Sequence, residues 1–177
     1  MSITSGRGDT GFSNLIGGER RSKHDTIFEA IGAIDELSSF IGLAQSMIQP
    51  SLYAEHMTSI QNNLFLMSAG LAKGKDKLPA DATLELESWM ATAEQLLPPL
   101  TNFVYPGGTT PAATIHVARA VARRAERLVW RLYSDEMQDD LEKEAAVYLN
   151  RLSDYLFVVA RSFNIAASQE QLWIKGK

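Results

Sequence analysis

The chain has 177 residues, no cysteine and a formal net charge of −4, with a pI near 5.4. That length supports one domain with a sizeable core and no metal or disulfide staple. The acidic balance weighs against a nucleic-acid-binding protein, no apolar run approaches the roughly 20 residues that cross a bilayer, and the absence of cysteine suits a reducing cytosol.

Five of the twelve glycines fall in the first eighteen residues, which sets a leader, residues 1–24, apart from the rest. Inside it, Gly6 to Gly11 read GRGDTG, matching G-x-G-x-x-G and containing the tripeptide RGD. A dinucleotide site requires a buried strand before the glycines and a helix after them. Only Met1 to Ser5 precede them, and more loop follows, closed by Gly17 and Gly18. The adhesion reading lacks both a signal peptide and a disulfide framework. The leader is therefore expected as a mobile glycine-rich loop of no evident purpose by itself.

From about Asp25 the period becomes helical. Ile27, Ala30, Ile34, Leu37, Ile41 and Ala44 recur at steps of three and four until Pro50 stops them. Ser51 is placed to cap a second helix carrying Met57, Ile60, Leu64, Met67 and Leu71, ending before KGKDKLP. A third is predicted from about Asp81 to Leu97, broken by Pro98 and Pro99. Thr110 as N-cap with Pro111 in the first turn opens a fourth, to about Tyr133. A fifth spans about Gln138 to Ala167. No segment alternates with period two for long enough to predict a strand. The expected fold is all-α, an up-and-down bundle of five helices over residues 25–167 with a tail at 168–177.

In the fourth helix, Ala118, Val121, Ala125, Leu128 and Leu132 share an apolar face. Arg119, Arg123 and Glu126 lie opposite, flanked by His116 and Arg127. Such a face is either a solvated Arg–Glu surface or a site for an anion with several phosphates, and so many arginines in an acidic chain favour the anion. Asn150, Asp154, Phe157 and Arg161 form a matching stripe on the fifth helix. In the first, Asp35 stands among Gly32, Ser38, Ser39 and Gly42, facing either solvent or a partner that small residues let approach. There is no P-loop, no E-x-x-H for a di-iron bundle, no cysteine–histidine zinc pattern and no obvious Ser/His/Asp set.

Three blocks, GDTGFSNLIGGERRSKHDTIFEAIGAIDELSSFIG, FVYPGGTTPAATIHVARAVARRAERLVWRL and YLNRLSDYLFVVAR, resemble the PduO-type ATP:cob(I)alamin adenosyltransferases in order and spacing. The resemblance covers about Ser5 to Arg161, and RRAER with YLNRLSD carries it most specifically. It implies a homotrimer of five-helix bundles with active sites between neighbouring subunits. There the 5′-carbon of ATP, bound with Mg²⁺, is attacked by cob(I)alamin to give adenosylcobalamin and triphosphate. The leader then becomes a phosphate cradle of backbone N–H groups. The resemblance assigns Ser5, Gly6, Arg7, Gly8, Ser13, Asn14, Lys23, Arg123, Arg124, Glu126, Arg127 and Asn150 to ATP. It pairs Asp35 with Arg119 across subunits and places Phe103 against one face of the corrin, while no protein metal ligand is assigned. Cob(I)alamin is itself a strong nucleophile, so the protein's tasks are positioning and stabilising the departing triphosphate.

The chain departs from the family at Ser5-Gly6-Arg7, where many bacterial members carry Thr-Lys-Thr. GERRxKxD…FEAxGxxDELSS is closer to the branch that includes animal mitochondrial enzymes. Met1 to Thr4 leaves no room for a transit peptide, so a cytoplasmic protein is expected. Expected partners are the two small-molecule substrates, a cobalamin reductase and an adenosylcobalamin-dependent enzyme, with no nucleic acid and no membrane. The competing reading is a non-catalytic cobalamin or nucleotide carrier of the same fold.

Overall fold

The computed structural model describes residues 4, 6–49, 51–134 and 140–176. Ser5 and Gln138, both named from the sequence, lie outside them. Five helices are present among the described residues: α1 (Thr26–Ser46), α2 (Leu52–Leu71), α3 (Ala82–Glu94), α4 (Thr110–Leu132) and α5 (Asp140–Ala166). α4 packs chiefly on α5 and α1, while α2 lies against α1 and α3 against α5. Small residues explain the central place of α4. Ala112, Ala118, Ala122 and Ala125 are fully buried, and their short side chains let the neighbouring backbones approach closely.

Three helix starts, those of α1, α2 and α4, have a side-chain cap. Asp25 accepts from the Ile27 amide at 3.0 Å and Ser51 from the Ala54 amide at 3.4 Å. A side-chain cap of this kind contributes about 1 kcal/mol. At α4 the cap is Thr109 rather than the expected Thr110, because its hydroxyl accepts from the Ala112 amide at 3.3 Å while Thr110 already lies in the first turn.

The leader differs from the expected loop. It contains a two-stranded antiparallel hairpin, β1 (Phe12–Asn14) and β2 (Arg20–Ser22), with Ser13 opposite Arg21. Three residues per strand are too few for alternation to register in the sequence. The hairpin is fixed by its tip: Leu15 is buried in the core cluster, and the Ile16 amide donates to the Ala72 carbonyl at 2.9 Å. Ile16 also packs over Gly74, whose added Cβ would lie 2.6 Å from the Ala69 carbonyl oxygen and 3.2 Å from Ile16.

Two buried phenols are each paired across helices. Tyr155 and Tyr148 are fully buried; the Tyr155 hydroxyl lies 2.6 Å from His56 Nδ1, and Tyr148 accepts from Asn63 at 3.3 Å. Burial pushes both phenols up, and it pushes His56 down against the opposing field of Glu55. The His56 ring stacks on Trp89 at 3.8 Å, joining α2 to α3.

Candidate active site

The outward face of α4 meets α5 and α3 at a hollow of about 370 Å³ lined by Arg119, Arg123, Asp154, Phe157, Met90 and Glu94. A second hollow, about 490 Å³, opens on the α1 side and is lined by Glu36, Pro106, His116, Arg119, Arg124 and Arg127 among others. Arg119 is part of both walls. Its Nε is buried with no hydrogen-bond partner. Burial, and then the neighbouring Arg123, lower the pKa of its guanidinium. An orphaned charged donor beside a second arginine is costly unless an anion or another chain completes it.

His116, expected as a flank of the arginine face, is instead buried, 3 % exposed, with neither ring nitrogen hydrogen-bonded. Its pKa is lowered to about 4, first by burial and then by Arg119, with Glu170 opposing. A neutral imidazole therefore stands one turn before Arg119, its ring 6.1 Å from that of Phe157.

The other predicted residues divide between groups. Glu126 accepts from Asn150 at 3.2 Å, joining the arginine helix to the α5 stripe. Arg124 forms an ion pair with Glu36 inside the subunit. Asp35, the next residue back, is exposed and lines a separate hollow of about 300 Å³ with Phe28, Ile31, Leu64 and Phe65. Asp35 and Arg119 thus occupy different walls of one subunit. Arg161 departs from its stripe: it is 6 % exposed and bound through Nε to Glu170 at 2.7 Å and through Nη2 to the Pro98 carbonyl at 3.1 Å. It serves the fold rather than the hollow.

In the leader, Asp9 N donates to the Gly6 carbonyl and Gly11 N to the Gly8 carbonyl, both at 3.3 Å, which makes two successive turns. Gly6 and Gly11 have φ of +66° and +78°, values that favour glycine. The Lys23 ammonium lies over Gly8, 2.8 Å from where a Cβ would stand, so a side chain at residue 8 would displace it. Arg7, Ser13 and Asn14 belong to the same turn-and-hairpin unit; Asn14 donates to the Gly18 carbonyl at 3.3 Å.

Phe103 is 79 % exposed in the connection between α3 and α4, beside Trp173 with ring centroids 6.3 Å apart. With Leu100, Thr101 and Asn102 these rings border a hollow of about 400 Å³. Sequence reasoning missed three residues that shape this region: Trp173, Glu170 and Asn164. Asn164 follows Arg161 by three positions on α5, so its place on the stripe was readable, but its partners in a distant loop were not.

Among the described residues no group of three His, Asp or Glu side chains is placed to hold a metal ion, and no helix is long and apolar enough to cross a membrane. A helical bundle with an arginine-lined cleft, a glycine-turned leader beside a lysine and an exposed aromatic loop has the parts of an enzyme that binds a polyphosphate next to a large apolar partner. The chain belongs to the cobalamin adenosyltransferase family, whose family model matches residues 3–163. It is 40% identical over 166 residues to the corrinoid adenosyltransferase of Bos taurus, covering 87% of this chain and 68% of that protein. It is also 40% identical over 173 residues to the corrinoid adenosyltransferase of Bacillus subtilis, covering 93% of this chain and 87% of the other. Among solved structures, a variant PduO-type ATP:corrinoid adenosyltransferase from Lactobacillus reuteri, complexed with cobalamin and ATP, superposes with a TM-score of 0.89 at 31% identity. That match covers 97% of this chain and 99% of the other.

Proposed function

We propose that this protein transfers the 5′-deoxyadenosyl group of ATP to cob(I)alamin. The cobalt electron pair forms a bond to C5′, the C5′–O bond breaks, and triphosphate leaves with that electron pair. The carrying observation is the hollow of about 370 Å³ walled by Arg123, with Arg119 beside it on the same helix. Positive charge fixed there in advance stabilises negative charge as it develops on the leaving group.

Arg123, Arg124 and Arg127 with Lys23 are proposed to hold the triphosphate, while Gly6, Gly8 and Ser13 supply short backbone approaches. Asn150 and Glu126, already bonded to one another, fix the adenosine end. Mg²⁺ would be held chiefly by phosphate oxygens, since the described residues offer no cluster to cage it. Phe103 is proposed to pack against the corrin and exclude water from its lower face, a use that its 79 % exposure supports. Without a lower axial ligand cob(II)alamin accepts an electron more readily, so Phe103 would assist the reduction that precedes transfer.

The active unit is proposed to be a homotrimer in which Asp35 of one subunit meets Arg119 of the next. Glu36 already takes Arg124 within the subunit, which leaves Asp35 exposed beside the apolar Phe65 on an outward face. Residues 1–177 are taken as one domain, cytoplasmic, receiving cobalamin from a reductase and passing product to an adenosylcobalamin-dependent enzyme. Incubation with ATP, Mg²⁺ and chemically reduced cobalamin tests the reading. Spectral conversion to adenosylcobalamin supports it, whereas tight binding of both substrates without conversion would make the protein a carrier.

A further inference from the structure

The loop carrying Phe103 is held at two places by α5 and the tail beyond it. On one edge, the Trp173 amide donates to the Phe103 carbonyl at 2.7 Å and the Tyr105 amide to the Gln171 carbonyl at 2.9 Å, so residues 171–173 lie alongside 103–105 like a strand. At the other end stands Asn164, 1 % exposed. Its Oδ1 accepts from the Thr109 amide at 2.9 Å and from the Thr109 hydroxyl at 3.3 Å, and its Nδ2 donates to the Gly107 carbonyl at 2.8 Å. Its own carbonyl accepts from the Gln169 amide at 2.8 Å, the point where the tail turns back toward the loop. One buried side chain and its backbone thus tie together both strands of the Phe103 region.

We infer that Asn164 is a positioning residue for the reaction, acting through the Gly107–Thr109 backbone to set where Phe103 stands. Gly108 reports how close the fit is. Its φ is +96°, and an added Cβ would lie 2.2 Å from Asn164 Oδ1, so both conformation and space demand glycine. The arginines of α4 do not depend on this clamp alone. Ala118, Ala122 and Ala125 are fully buried against the rest of the bundle and hold the helix independently. Loss of the clamp therefore shifts the Phe103 loop while leaving the anion-binding wall in place. The inference rests on the proposed corrin-facing role of Phe103.

Two variants test it from opposite sides. Asn164→Asp keeps size and acceptor but turns a carboxylate oxygen toward the Gly107 carbonyl; Gly108→Ala forces the loop away from an unaltered Asn164. Both are measured in the full-length protein beside wild type and Phe103→Ala. The readouts are melting temperature, ATP affinity by calorimetry, EPR of cob(II)alamin with the ATP-loaded protein, and turnover from cob(II)alamin. Expected are cooperative melting, an ATP Kd within about twofold of wild type, a diminished four-coordinate cob(II)alamin signal, and turnover reduced about tenfold to a hundredfold, the usual consequence of misplacing a positioning group by about 1 Å. A wild-type signal that vanishes in Phe103→Ala yet persists in both clamp variants overturns the inference alone. Absence of the signal in wild type overturns the corrin role of Phe103 and this inference with it. Parallel loss of ATP affinity, melting temperature and turnover in both variants would make Asn164 a residue of the fold only, and would overturn it too.

Discussion

Replacing His116 by Phe tests the burial of the α4 face, because it removes a titrating group whose environment the fold dictates. The free imidazole titrates near 6.5, and in the folded chain the value is about 4, lowered by burial and by Arg119. Between these values the unfolded chain binds a proton at residue 116 that the folded chain refuses. Stability therefore falls as pH drops from about 7 toward 4, and the contribution vanishes above neutrality. Integrating both titrations, with about 1.36 kcal/mol per pH unit, gives a loss of about 2–3 kcal/mol between pH 7 and pH 4.5. Carboxylates and His56 titrate in wild type and variant alike, so the difference between the two pH profiles isolates residue 116. Urea unfolding at several pH values and one protein concentration measures it. His116→Phe should show an acid limb shallower by about that amount. Parallel profiles would refute the reasoning, since they would mean that the imidazole is charged or solvated in the native protein.

Arg123→Ala should raise the KM for ATP and lower kcat. A lost charge-assisted phosphate contact costs about 1.5–3 kcal/mol, roughly tenfold to a hundredfold in kcat/KM, and unchanged steady-state kinetics would sink the phosphate role. Asp35→Asn and Arg119→Ala should each impair activity, and the double variant should lose less than the sum; strict additivity removes the contact, and a monomer in sedimentation removes its intersubunit form. Arg161→Met should destabilise the protein by about 3–5 kcal/mol, because it strands the buried Glu170 carboxylate. Adding Glu170→Gln should recover part of that in denaturant titrations, and an unaltered midpoint for the single variant would contradict the buried pair.

The helices were readable because burial imposes a period of 3.6: Ile27, Ala30, Ile34, Leu37, Ile41 and Ala44 are all buried as their spacing requires. Ser51 was readable as a cap because a serine that follows a proline and precedes an apolar run has one economical use. Thr109 was mistaken for its neighbour because either threonine satisfies the local rule. The choice is made by Asn164, 55 residues away, which fixes the Thr109 amide. The hairpin at Phe12–Ser22 left no periodic trace; its stability comes from Leu15 entering the core and from one hydrogen bond to Ala72. Arg161 and Phe157 share a stripe, but one lines the hollow and the other binds the tail, a division set by Glu170 in a segment with no regular period.

Arg119 has a consequence that follows from its place in two walls. One guanidinium cannot turn toward an occupant of either hollow without changing what the other hollow presents. Any two ligands lodged on opposite sides of it share a single free-energy surface, and thermodynamics requires each to alter the affinity of the other by the same factor. If a ligand draws the side chain one way, the other hollow is reshaped before anything enters it. Communication between the two sides then needs no moving domain, only a residue with two faces.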